Sequence, residues 1–259
     1  MSRNRFSVLP ILIAVTGLLL IQGCFLFPPK MRYVSTLTPR VPDNSNLYTV
    51  QPDGTVSYNV EGSRIDVRYM TDEELNALFP KESSRGKYSI NPYTYGNWVD
   101  PDLGYIPNRF TVFKVTVYNY TFAKVSLDPL KALLLTDKGD RLYAYGIEGP
   151  VPHNSFEKYY MALRRQSGNE YYRYNMRMGI VRSHNYARDQ VIFKGESYGG
   201  FIVFDPLDGD VKRVRLILKD FVTKFDQFGA PLEKRDIIFD FTRSVELKSL
   251  EPSSGASGD

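Results

Sequence analysis

Residues 109–119 read RFTVFKVTVYN, with Phe113, Val115 and Val117 on one side of the alternation and Lys114 and Thr116 on the other. Apolar residues at every second position describe a strand with one buried face; a helix needs them every three or four. The pattern recurs in Arg64–Met70, where Ile65, Val67 and Tyr69 alternate with Arg64, Asp66 and Arg68. Such faces must be covered, and a second sheet is the simplest cover. The aromatic usage agrees, because 19 Tyr and 16 Phe against one Trp suits strands better than helices.

Turn signals separate these segments. Gln51-Pro52-Asp53-Gly54 lies between Leu47–Val50 and Thr55–Val60, and Thr136–Asp140 lies between Leu127–Leu135 and Arg141–Tyr145. A Lys194-Gly195-Glu196 turn splits 191–204, and Asp226–Pro231 joins Val211–Phe225 to Lys234–Leu247. Strands do not alternate regularly with helices, so the expectation is a mainly β, antiparallel sandwich over 46–248. Gly199-Gly200 inside a strand pattern predicts a bulge or a close backbone approach. Two stretches break the rhythm. Thr71-Asp72-Glu73-Glu74 is a capping-box pattern that opens a short helix ended by Pro80. About residues 155–188 form a helical insertion, with Ser155 as N-cap of Phe156–Gln166 and further helical turns over Glu170–Met178.

The ends differ from the middle. Arg3 and Arg5 precede an apolar run over 6–21, and Ile21-Gln22-Gly23-Cys24 follows with the chain's one cysteine. A basic region, an apolar region and a small residue before a cut are the parts of a secretory signal over 1–23. The alternative is an uncleaved membrane helix, but 16 apolar residues interrupted by Pro10 fall short of the roughly 20 that a bilayer requires. Residues 24–45 contain Pro28, Pro29, Pro39 and Pro42 and are expected to be an extended tether; 249–259 (SLEPSSGASGD) is expected to be a disordered tail.

The first 24 residues resemble the bacterial lipoprotein lipobox, with Gln22 a less usual residue at its position. The resemblance implies cleavage between Gly23 and Cys24, a diacylglyceryl thioether on Cys24 and acylation of the new amine. Phe25, in place of the aspartate that retains many lipoproteins in the inner membrane, implies the outer membrane, facing the periplasm or the surface. The strand ending in Val117-Tyr118-Asn119, the Asp137-Lys138-Gly139 turn, and Lys194-Gly195-Glu196-Ser197 followed by Gly200-Phe201-Ile202-Val203-Phe204 resemble immunoglobulin-like domains of bacterial envelope lipoproteins. That likeness spans about 109–220 and implies a fold, not an activity. The chain departs from it at Lys194, where such turns often carry proline, and in the insertion.

Little in the sequence suggests catalysis. His153 and His184 stand in no triad or metal-pair spacing and read as surface or capping residues. Asp205, Asp208 and Asp210 lie near Gly209 and form a weak metal candidate; without a 12-residue loop and terminal glutamate, a plain turn is favoured. No phosphate-binding or dinucleotide fingerprint occurs, and no cofactor is expected. The net charge of +4, or +2 once residues 1–23 are removed, gives no footprint for nucleic acid.

The insertion is the unusual feature. It has seven basic side chains against Glu157 and Glu170, a local net of +5, together with Phe156 and six tyrosines. Arginine and tyrosine dominate recognition hot spots, which nominates Tyr159, Tyr160, Arg164, Arg165, Tyr172, Arg173 and Tyr174 as binding residues. The bland alternative is a flap whose Phe156, Tyr160 and Leu163 pack at helical spacing while its arginines stay in solvent. The expected role is a non-catalytic structural or protein-interaction module held at the membrane through acyl chains on Cys24. Its partner would be an envelope protein. An envelope polysaccharide is the alternative ligand, met by the insertion and by Asn91-Pro92-Tyr93-Thr94-Tyr95-Gly96; Tyr93, Tyr95, Trp98 and Tyr105 in the 91–105 loop are the next candidates. Coplanar exposed rings would favour a glycan, an apolar patch a protein, and convergent titratable groups an enzyme.

Overall fold

The computed structural model describes residues 29–41, 46–148, 154–163 and 169–250. The chain enters on β1 (Met31–Arg40) and forms the hairpin β2 (Tyr48–Val50) and β3 (Val56–Val60), followed by β4 (Ser63–Met70). Helices α1 (Asp72–Leu78) and α2 (Pro80–Ser83) lead through a loop to β5 (Tyr105–Ile106), β6 (Thr111–Asn119), β7 (Lys124–Ser126), β8 (Leu133–Thr136) and β9 (Arg141–Tyr143). Helices α3 (Phe156–Leu163) and α4 (Glu170–His184) precede β10 (Val191–Phe193), β11 (Ser197–Phe204), β12 (Arg213–Phe225) and β13 (Pro231–Ser249).

The result is mainly β, with two sheets. One has the order β11-β6-β4-β3-β2; the larger runs β10-β7-β12-β13-β1-β5, with β8 paired to β12 and β9 to β8, and curls into a half-barrel. Phe113, Val115 and Val117 point between the sheets, as their alternation predicts, with Phe113 against Tyr69, Phe204 and Phe241 at 5.3–6.1 Å between ring centres.

The other face of β6 is wet only in part. Lys114 is exposed, but Val112 is fully buried in a second core with Met70, Phe110, Phe201 and Val203. That core is closed by α1, Tyr93 and helices α3 and α4, through Leu75, Phe156, Tyr160, Met178 and Val181. The molecule therefore has a helical layer outside the smaller sheet. Strand β11 borders both cores, which is why Phe201–Phe204 reads as a continuous apolar run.

Helix α1 begins as its sequence predicts. The Thr71 side chain accepts from the Glu74 N–H at 3.3 Å, and Glu74 accepts from the Thr71 N–H at 2.9 Å. Ser155 accepts from the Lys158 N–H at 3.2 Å at the start of α3. Gly200 provides the predicted close approach: a Cβ there would lie 2.5 Å from the Tyr186 nitrogen. The Asn185–Tyr186 backbone thereby lies on β11, and the Tyr186 N–H donates to the Phe201 carbonyl at 3.0 Å.

Several expectations need correction. The 24–45 segment is not simply a tether. Its residues 31–40 pair with β13 over ten positions, from Met31↔Ser249 to Arg40↔Asp240. Leu37 is drawn into the core, and Pro39 is tolerated because β5 covers only Met31 and Arg32, leaving the rest of β1 at the sheet edge. The 249–259 segment begins inside β13, and 251–259 lie outside the described residues. The Lys194-Gly195-Glu196 turn forms as expected, with the Glu196 N–H donating to the Phe193 carbonyl at 3.0 Å, and it crosses between sheets: β10 pairs with β7 in the larger and β11 with β6 in the smaller. Helix α4 continues six residues past the expected Met178 to His184. Among the described residues no helix is long and apolar enough to cross a membrane.

Candidate functional site

The helical layer and the 80–110 loop meet in a groove of about 340 Å³. Four parts of the chain line it, one of them the end of α3 through Leu163. The short turn Gly86–Tyr88 supplies Lys87 and Tyr88, and the following loop supplies Tyr95 and Trp98. Arg109 comes from the residues just before β6. Helix α4 contributes Glu170, Arg173 and Arg177, whose spacings of three and four put them on one helical face.

The loop is rigidly built. Asn91 is fully buried, donating to Leu75 O at 3.2 Å and to Ser83 Oγ at 2.9 Å while accepting from the Tyr93 N–H at 2.9 Å. Tyr93 is buried too and donates to Asn185 Oδ1 at 2.7 Å, tying the loop to the end of α4. At Gly96, φ is +64° and a Cβ would fall 2.2 Å from the Ser83 carbonyl oxygen, so only glycine fits this bend. The bend leaves Tyr95 facing the groove with Trp98, their rings 5.4 Å apart and tilted by 51°.

Two buried arginines form the floor. Arg109 is 7% exposed and Arg177 4%. Arg109 donates to Asn91 O at 3.3 Å and to the Tyr160 hydroxyl at 3.2 Å, and lies 4.1 Å from the Tyr95 ring centre. Arg177 donates to Ser89 O at 2.9 Å and Glu170 Oε2 at 3.1 Å. Tyr160 lies between them, 6.0 Å from one guanidinium and 5.1 Å from the other, and donates to the Pro92 carbonyl. Glu170 also accepts from Arg173, which stacks 4.4 Å from the Tyr88 ring.

The electrostatics follow from this geometry. Burial alone would raise the Glu170 carboxyl, but hydrogen bonds and charge from Arg173 and Arg177 outweigh it and hold it below its usual range. Burial raises the Tyr160 hydroxyl against the pull of both arginines. Burial, with Arg109 nearby, lowers the Arg177 guanidinium despite Glu170 and Tyr160. Among the described residues the groove is thus lined by four cationic side chains and one carboxylate, which pairs with Arg173 and Arg177. Among the described residues, Arg109 has no carboxylate ion pair and the Nε atoms of Arg109 and Arg177 have no hydrogen-bond partner.

The predicted binding residues separate. Tyr160 is interior, while Tyr159 and Tyr174 pack against the second core, so these three are not a free surface. Tyr172 is exposed but outside the groove lining, whereas Arg173 lines it. Arg164 and Arg165 lie outside the described residues, as do Gly23, Cys24 and His153. The flap alternative is right about Phe156 and Tyr160, but not about arginines lying wholly in solvent, because Arg177 is buried. Tyr105 stacks on Tyr33 at 6.0 Å and lies outside the lining. Lys87, Tyr88 and Arg109 were missed. Arg109 was read only as the first residue of the 109–119 strand segment, and no local pattern marks it as part of a site.

The aspartate candidates do not converge. Asp205 accepts from the Tyr145 hydroxyl at 2.7 Å and from Asn154 at 3.0 Å, and Asp210 pairs with Lys138 at 2.7 Å. The cation in this loop is the buried Arg243, which donates to the carbonyls of Leu207, Asp208 and Val211. No cluster of three metal-ligating side chains occurs among the described residues. His184 is exposed on α4, its Nδ1 2.9 Å from the Ile180 carbonyl, consistent with a surface histidine.

No protein-family model, curated protein or solved structure matches the chain.

Proposed function

We propose that the chain is a lipid-anchored lipoprotein of the bacterial cell envelope, acylated on Cys24, whose folded part is a non-catalytic interaction module with an immunoglobulin-like sandwich at its centre. The groove is its recognition surface. What supports the anchor is the ordered series of basic residues, apolar run, Gly23 and single cysteine. Only residues 25–30 separate Cys24 from β1, and six residues reach at most about 20 Å. An anchored domain would therefore sit close to its membrane.

The observation that carries the recognition role is the groove itself: an aromatic and arginine-rich concavity assembled from separate segments and cationic beyond its internal needs. Its titratable groups converge, yet they suit binding better than proton transfer. Arginine and lysine keep their protons near neutrality, and the Glu170 carboxylate is already engaged by two arginines. The groove's rings are tilted rather than coplanar, so they form no flat platform for a run of sugars and offer single ring faces to one unit at a time.

Crosslinking in intact cells tests the recognition role. Replacing Lys87 and Arg173 with Ser should deplete the captured partner set while leaving thermal melting within a few degrees of wild type. An unchanged partner set would remove the groove as the recognition surface. For the anchor, Cys24→Ser should accumulate an uncleaved, unacylated precursor; maturation and detergent partitioning like wild type would refute it.

A further inference from the structure

We propose that the groove binds an acidic sugar, a ring bearing a carboxylate, at one end or one unit of a larger saccharide. This rests on the groove being the recognition surface. The carboxylate would pair with Arg109, Arg173 and Lys87, and the ring's C–H face would lie on Tyr95, Trp98 or Tyr88.

Three observations converge on this class. The first is charge. Four cations line the groove against Glu170, and Glu170 is shared by Arg173 and Arg177. Arg109 is more than nine-tenths buried with no carboxylate in direct ion-pair contact among the described residues, although it acts on the buried Asp72 carboxyl, and an incoming anion would give it a direct partner. The planar guanidinium fork suits a carboxylate, which accepts two parallel hydrogen bonds. The second is donor capacity: among the described residues the Nε atoms of both buried arginines have no acceptor, so the floor carries more donors than these residues satisfy.

The third is the aromatic wall. Tyr88, Tyr95 and Trp98 offer ring faces beside these cations, and Tyr88 is largely exposed. An inorganic anion would leave the rings unused. A lipid chain would need a deep apolar floor, yet among the described residues Leu163 is the one aliphatic side chain in the lining. A sugar acid uses both parts at once, its C–H face on a ring and its carboxylate on the arginines. A volume of about 340 Å³ lies at the small end of ligand sites, which run roughly 300–1,000 Å³ and hold a compact ligand or the end of a longer one.

The chain's single tryptophan, Trp98, lies in the groove, so intrinsic fluorescence reports on this site. The full-length protein in a non-glycosidic detergent would be titrated with a galacturonic acid trisaccharide, the neutral galactose trisaccharide, inorganic phosphate and a glutamate-rich peptide. The acidic trisaccharide should change Trp98 emission saturably, and the neutral one should bind at least tenfold more weakly. Lys87→Ser with Arg173→Ser should weaken acidic binding at least tenfold with an unaltered circular dichroism spectrum. Tyr88→Ala should also weaken it, a loss that anion binding alone would not produce. Equal binding of the neutral sugar, equal competition by phosphate or peptide, or no emission change with any probe would each overturn the proposal. Failure here with a partner set still dependent on Lys87 and Arg173 would sink the ligand class alone. Saccharide binding with an unchanged partner set would sink the partner-recognition role instead.

Discussion

Val112→Thr separates a two-layer sandwich from the observed architecture. Read from the alternation of β6 alone, Val112 shares a face with Lys114 and Thr116 and should tolerate a hydroxyl. In the structure it is fully buried, directly opposite Met70 on β4 and Val203 on β11, beneath the helical layer. Threonine keeps the β-branched shape, so strand preference is little changed. It removes one buried methyl, worth about 0.8 kcal/mol. It also places a hydroxyl among apolar side chains, at about 1–3 kcal/mol without a partner. The sum is about 2–4 kcal/mol, a large share of a typical total stability of about 5–15 kcal/mol. At about 2–4 °C per kcal/mol for a chain of this size, Tm should fall by about 4–16 °C. Lys114→Thr, two residues along the same face but exposed, is the control and should stay within about 0.5 kcal/mol. Urea denaturation monitored by circular dichroism measures both. A Val112→Thr protein as stable as the control would mean that the helices do not cover this face.

Burial pushes the Asp72 carboxyl up to about 7, against the pull of Asn108, Arg32 and Arg109, and its Oδ2 has no hydrogen-bond partner among the described residues. The folded state then holds a proton that the unfolded chain releases near pH 4, so this group's stabilisation is present below about pH 4 and lost as pH rises to about 7, by roughly 4 kcal/mol in total. Asp72→Asn should therefore raise Tm at pH 8 and change it little at pH 4; parallel Tm–pH curves for variant and wild type would contradict this. Gly200→Ala would push a methyl into the Tyr186 backbone, which no rotamer change relieves, and should cost about 1–3 kcal/mol. Thermal melting unchanged from wild type would show that the Asn185–Tyr186 segment does not lie on β11.

Local chemistry was legible wherever it is decided within a few residues. The capping box at Thr71–Glu74 and the glycine turns at 51–54 and 136–140 depend only on near neighbours, and each forms as its residues dictate. The inward set Phe113, Val115 and Val117 is legible for the same reason, because alternation reports which side is buried. Alternation is silent about how many sides are buried. Strands β6 and β11 border two cores, and nothing in one strand's pattern says which segment will cover its second face. The 31–40 strand was hidden because its prolines suggested a free tether, while its partner β13 lies some 200 residues away.

The groove divides in the same way. That the 155–188 block is rich in arginine and tyrosine, and the 91–105 loop in aromatic rings, was determined by the sequence. That Tyr160 and Tyr93 are interior, that Arg177 is buried beside Arg109, and that Tyr88, Tyr95 and Trp98 share a cavity was decided by the tertiary structure alone. Residue type sets what a side chain can do in water. Whether a guanidinium stands in water or in a low-dielectric floor with too few carboxylates depends on which distant segments the packing brings around it.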